Sequence, residues 1–291
     1  MTREGRMRDS YRFARTPHWL TGHALAGTLL IVFVIAGFWQ LDRHNGQRDR
    51  NALATERQSA RALDADRFFE AVADTETVAL LEYRTVRLDV LSIDWPEAIG
   101  IRNRSLDGLA GCHLAVPVEA SGNLNGGPER PGVLVVAGWL PQSACEIAEP
   151  TDWAHNAAAL DAADVLEGRI RLSQERGLLG PSDPPQGRLA SLARTDVERI
   201  DQQTTLDLVA IYVELTSAAG GDGTHIALGD NAPDAGGAVL VTPLPPPALD
   251  AGPHLGYTLQ WFSFAIVAIV GYTLVLRHQA RKGESEEIAD D

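Results

Sequence analysis

The chain has 291 residues, 45% of them hydrophobic, and a formal net charge of -14. Its mean hydropathy of -0.09 looks like that of a soluble protein, but the charge is unevenly spread, with two long stretches carrying none. A cytosolic globule is excluded on that pattern. A nucleic-acid binder is excluded as well, because no basic surface is on offer for phosphates.

Residues 1–19 form an arginine-rich tail. Leu20–Leu41 and His254–Leu276 contain no Asp, Glu, Lys or Arg. About 22 residues of helix span roughly 33 Å, enough to cross a hydrocarbon core of about 30 Å. A helix also satisfies its own backbone in lipid. The first stretch competes with a cleaved signal peptide. Its apolar run is long and ends at Phe38, Trp39 and Gln40 rather than at small residues, which favours an uncleaved anchor. Arg277, Arg281 and Lys282 follow the second stretch, so both tails read as cytoplasmic. The expected fold class is a membrane protein: two transmembrane α-helices (20–41 and 254–276) flank one mainly β (α+β) extracytoplasmic domain (42–253), with cytoplasmic tails at 1–19 and 277–291. The lipid bilayer is thereby the first expected partner, and nucleic acid is not one.

Within the domain, residues 42–75 continue as a polar, Ala- and Arg-rich helical stalk that turns into Phe68 and Phe69. Tyr83–Leu91 alternates as a half-buried strand does. Ile99–Arg102 and His113–Val118 are short strand candidates. Val133–Leu140, almost wholly apolar, reads as a central strand covered on both faces. Glu119–Gly132 reads as an exposed connection. Further strands are expected at Val165–Leu172, Leu208–Thr216 and Ala238–Thr242. Helices are expected at Asp152–Leu160 and at Thr195–Gln203, where Thr195 and Glu198 spell a capping box. Gly180–Gly187 reads as a turn and Ser217–Gly237 as a loop. Pro243–Pro253 reads as a stiff lead into the second span. Cys112 and Cys145 bracket an expected hairpin. A disulfide between them and two buried free thiols are both open, and their spacing fits no metal motif.

Motifs for catalysis are absent: no G-x-S-x-G, no Walker sequence, no H-E-x-x-H and no dinucleotide fingerprint. An extracytoplasmic enzyme therefore has no constellation behind it. The carboxylates read as a solvated face. His113, His155 and His225 are scattered singly. The membrane-edge residues say more. His254, Tyr257 and Trp261 share a helix face by i, i+3, i+7 spacing, with Gln260 beside them. A His among aromatics at the lipid edge can be an axial haem ligand or an interfacial cap. His44 falls at the same expected membrane face, so a two-His site is open too. Small residues at Ala26, Gly27, Ala36 and Gly37 allow close helix approach.

These residues resemble a known family. Gly37-Phe38-Trp39-Gln40-Leu41-Asp42-Arg43 is similar to the G-x-W-Q-x-x-R end of the first span in the surfeit locus protein one family. His254 to Phe262 is similar to its H-x-x-Y-x-x-Q/T-W-F start of the second span. Tyr83-Arg84-Thr85-Val86, Ile101-Arg102-Asn103-Arg104, Pro117, Gly138-Trp139-Leu140-Pro141, Gly168-Arg169 and Tyr212-Val213-Glu214 follow in the family's order. The resemblance covers roughly residues 20–278. Ala137 stands where the family commonly has Arg, and the cysteine pair is outside its pattern.

The resemblance, closest to bacterial and actinobacterial-like members, implies a non-enzymatic assembly factor of haem-a-containing cytochrome c oxidase in the plasma membrane. It implies transient haem a binding, with His254 as iron ligand and Tyr257 and Trp261 in the cofactor site. Subunit I of the oxidase and other assembly factors are the implied partners. An accessory or scaffold protein that holds no cofactor is the alternative.

Overall fold

A computed structural model describes residues 11–74, 76–122, 131–145, 158–177, 180–226 and 241–289. The chain divides into two compact units, Met1–Ala52 with Leu249–Asp291, and Leu53–Ala248. The described α-helices are α1 (Pro17–Ser59), α2 (Ala65–Val72), α3 (Val197–Asp201) and α4 (His254–Ala289).

The first unit is the pairing of α4 with the first part of α1. Both helices are long and apolar enough to cross a membrane, and only 6% of each apolar window is buried. A core helix of a soluble protein would be mostly covered, so this exposure suggests a membrane protein. The residues the two helices do cover lie on one stripe of each. Gly37 is buried, and a Cβ there would stand 2.7 Å from the Phe262 ring. Gly27 has nothing within 4 Å of its Cβ position. Close approach is thus made at Gly37, where a missing side chain leaves room for an aromatic ring. Phe33 meets Trp261 and Phe264, each with ring centroids 5.8 Å apart, and Phe38 meets Phe262 edge-on. Nearer the chain ends, the Tyr272 hydroxyl is hydrogen-bonded to His23 Nδ1.

The second unit is built on strands β1 (Thr85–Ile93), β2 (Ile99–Leu106), β3 (Leu109–Ala120), β4 (Pro131–Pro141), β5 (Val165–Leu172), β6 (Ser191–Leu192), β7 (Asp207–Ala219) and β8 (His225–Ile226). The order β1-β5-β7-β4-β3, together with pairing of β1 to β3, closes five strands into a barrel. β4 and β7 are parallel and the other four ring contacts are antiparallel. β2 and β6 continue the sheet beyond β3, and β8 pairs with β7. Closure removes the ring strands' open edges and lets alternate side chains fill one interior.

That interior holds Val86, Leu88, Leu114, Val116, Val135 and Val213, with Phe68 and Phe69 of α2 packed into the same cluster. Asp64 caps α2 by accepting a hydrogen bond from Arg67 N. A second cluster lies on the outer face, where Val197 and Ile200 of α3 cover Ile99, Ile101, Leu134 and Val136. β4 is buried along Pro131–Leu140 for this reason: Val133, Val135 and Ala137 face the barrel interior and Leu134 and Val136 face α3, and past the register shift at Ala137 it is Leu140 that joins the interior. The expectation of a doubly covered strand holds.

Several boundaries differ from expectation. β2 and β3 form one hairpin, turned at Asp107 and Gly108, both with positive φ (50° and 81°). That is the Asp-Gly chemistry of a two-residue turn. α3 starts later than the capping box predicts. Asp196 is its cap, accepting from Arg199 N at 3.1 Å, while Thr195 is bonded through its backbone to Gln174. Residues 217–219 extend β7, and 225–226 form β8 rather than loop. Asp152–Leu160 lies mostly outside the described residues, with a 3₁₀ turn at Ala158–Ala162. Of the strand expected at Ala238–Thr242, only Val241 and Thr242 are described; Thr242 bridges Trp139. Cys112 of β3 and Cys145 just after β4 are joined in a disulfide, Cα atoms 6.0 Å apart.

Candidate functional site

The helix-pair unit brings together residues from opposite ends of the sequence. α4 begins directly after Pro253, whose carbonyl accepts from Tyr257 N, so His254 is its first helical residue. The chain leading into it is tied to α1: Asn51 Nδ2 donates to the carbonyls of Leu249 and Asp250, both at 2.9 Å. Asp250 Oδ1 accepts from Gly252 N at 2.7 Å and shapes the turn. Further along α1, Gln40 Oε1 lies 3.0 Å from His254 Nδ1. Gly252 has φ +67, and a Cβ there would stand 3.4 Å from His254 Nε2. A side chain at 252 would crowd that nitrogen, and glycine leaves it room.

Of the three residues the sequence places in one site, His254 is half-buried and held by Gln40. Trp261 is half-buried too, its ring lying 5.8 Å from Phe33 and 5.9 Å from Phe264. Tyr257 is 48% exposed. The position one turn on from His254 that the helix pair covers is Thr258, 4% exposed, whose hydroxyl donates to the His254 carbonyl. Trp39 is 60% exposed on α1. His44 sits one turn beyond Gln40 on the same α1 face, with its Nδ1 buried and without a hydrogen-bond partner. Gln40 is the residue whose role the sequence left unassigned. The signal was there: it belongs to the end signature of the first span, which the orientation argument puts at the same membrane edge as His254.

The barrel unit carries a different polar cluster, on its outer face. Arg169 of β5 and Glu214 of β7 are register partners and pair at 2.9 Å, both largely buried. Arg171 lies between Glu82 at 3.7 Å and Glu214 at 3.8 Å, with its guanidinium 4.8 Å from the Tyr83 ring centroid. Gln174 accepts from Arg104 at 3.0 Å and donates to the Tyr212 hydroxyl at 3.1 Å. Burial pushes the Tyr212 phenol up, and Glu214 adds to it. Burial lowers the Arg104 guanidinium against the pull of Tyr212 and Glu214, and it stays charged. His113 is pushed down to about 4, first by burial and then by Arg104. Each group answers a neighbour, so the cluster reads as a clamp on the sheet. Gly168, next to Arg169, packs toward the interior instead, since a Cβ there would meet Val213 Cγ1 at 2.4 Å. His225 is exposed on β8, and His155 lies outside the described residues. Ala137, at the family's arginine position, is 1% exposed in the barrel interior. No group of three His, Cys, Asp or Glu that could hold a metal occurs among the described residues.

The motif residues of both units lie in one family's pattern. The model of the SURF1 family matches residues 28–266, most of the chain, from within α1 into α4. The chain belongs to the SURF1 family. No curated protein matches it. The SURF1 family is generally associated with cytochrome oxidase assembly and is a family of assembly factors rather than of catalysts. Within this member, the Gly168-Arg169 and Tyr212-Val213-Glu214 motifs are explained as one cross-strand contact, and the two span signatures meet at Gln40 and His254.

Proposed function

We propose that this SURF1 family member is a membrane chaperone for haem-a-containing cytochrome c oxidase, holding haem a at His254 and assisting its insertion into subunit I. The observation that carries this reading is the contact of His254 with Gln40. One imidazole nitrogen is engaged, and the glycine at 252 leaves space at the other. A ring held on one side and open on the other suits an axial ligand. Haem a supplies an iron for that nitrogen and a broad apolar ring. Leu255 and Tyr257, each 48% exposed, offer an apolar surface beside His254. Trp261, one turn beyond Tyr257 on α4, packs on Phe33 and Phe264. A single protein ligand at an exposed helix end suits a transfer factor, which must release what it holds.

The orientation supporting this reading places both termini in the cytoplasm and the barrel outside it, in the plasma membrane of a bacterial cell. Arg277, Arg281 and Lys282 on the inner flank favour it. The barrel, with its acidic surface, is then the part that faces oxidase subunits and other assembly factors.

A second reading is an accessory protein that stabilises the oxidase and holds no cofactor. Trp261 favours it, since its ring is already engaged in helix pairing. Gene deletion separates the two from an unrelated role. Loss of oxidase activity with haem a synthesis intact supports assembly, and normal haem insertion in the deletion strain contradicts it. Fixed-stoichiometry co-purification with mature oxidase, with no haem on the isolated protein, favours the accessory reading.

A further inference from the structure

We infer that Gln40 is a positioning residue that fixes the tautomer of His254 and turns its Nε2 lone pair outward. This rests on the reading of His254 as the haem ligand, and adds which nitrogen serves and what sets it.

A neutral imidazole carries one proton and one lone pair, and the partner of one nitrogen decides which is which. Gln40 presents Oε1, an acceptor, to His254 Nδ1 at 3.0 Å. The inferred pairing has Nδ1 donating to that oxygen, which puts the lone pair on Nε2. The opposite tautomer would set a lone pair against the carboxamide oxygen and leave Nε2 protonated, unable to ligate as a neutral ring. That mismatch forfeits the hydrogen bond between the ring and Gln40.

The contact is held from two sides. One turn before Gln40, the buried Gly37 lets the Phe262 ring come within 2.7 Å of its Cβ position, which sets the spacing of the helices. Three turns after Gln40, Asn51 ties down Leu249 and Asp250. The segment 249–254 therefore runs along the α1 face from Asn51 to Gln40, and His254 arrives with little freedom. Nε2 faces the space that Gly252 leaves. This arrangement has the logic of a carbonyl oxygen behind a metal-bound histidine, which orients the ring and raises its basicity.

The test uses the full-length chain in detergent, labelled with [15N]histidine and free of haem. The 15N imidazole shifts report the tautomer directly, and the resonances lost in His254→Ala assign the ring. Wild type shows Nδ1–H. Gln40→Leu shifts the ring toward Nε2–H. Gln40→Glu, an isosteric acceptor, keeps Nδ1–H. Haem a titration of the same samples then shows binding weakened about tenfold or more in Gln40→Leu and rescued in Gln40→Glu. An Nε2–H ring in wild type, or equal tautomer and affinity in wild type and Gln40→Leu, overturns the inference. If His254→Ala loses haem a while Gln40→Leu binds as wild type, positioning fails and the ligand reading stands. If His254→Ala binds haem a as wild type does, the ligand reading fails, and the haem-free shifts alone decide the role of Gln40 toward the ring.

Discussion

The barrel and the helix pair use polar residues in opposite ways. On the barrel, Arg104, Arg169, Arg171, Gln174, Tyr212 and Glu214 form one interlocked cluster in which each charge answers a neighbour. On the helix pair the surroundings are apolar, and the polar cross-links between α1 and α4 include, among the described residues, His23 with Tyr272 and Gln40 with His254. A polar group in a dense network is explained by its neighbours. A histidine at the end of an apolar stripe, bonded to Gln40 on one side and open on the other, is not. The same kind of sequence motif thus holds the sheet together in one unit and points to chemistry in the other.

The largest expected effect breaks the barrel side of that contrast. Arg169→Ala leaves Glu214 buried without its closest partner, and should cost about 3–5 kcal/mol in chemical denaturation. Haem a bound per folded molecule should not change. Removing the disulfide with Cys112→Ser and Cys145→Ser together comes next. Closing a loop of 33 residues contributes roughly 4 kcal/mol by chain entropy, so the midpoint of unfolding should fall by that equivalent and wild type under reductant should follow it.

A pH dependence ranks third. Folding lowers His113 from 6.5 to about 4, so between those values the unfolded chain binds the proton and the folded one does not. Its contribution is fully present above pH 6.5 and is lost as pH falls toward 4, a change of about 3 kcal/mol. His113→Gln should flatten that part of the stability profile. The smallest expected effect sharpens the helix side. Gln40→Leu should change unfolding stability by only about 1 kcal/mol while altering the His254 ring. A large stability loss there would make the contact a structural one like those of the barrel.

The spans were legible because missing charge is a property of composition, and β4 was legible because a run without polar residues needs cover on both faces. Barrel closure was not legible. It depends on β1 pairing with β3 through Val90, Ser92 and Ile93, and alternation says which face a residue takes but not which strand lies beside it. The cap of α3 went to Asp196 over Thr195 because Thr195 is engaged by Gln174 across the sheet, a contact local pattern does not carry. At the candidate site, the place of His254 at the start of the second long helix was legible from where charge is missing. The span-end signature put Gln40 at the same membrane edge, but the contact itself, between residues 214 apart in sequence, was not legible. Nor was the outward turn of Tyr257: i, i+3 spacing allows a shared face, but the pairing with α1 selects Thr258.

The most direct test of the account is the haem a content and absorption spectrum of the full-length protein purified from cells that make haem a, beside His254→Ala. The account predicts bound haem a in wild type and its loss, with the ligand-sensitive bands, in the variant. Equal content and identical spectra in the two would contradict it.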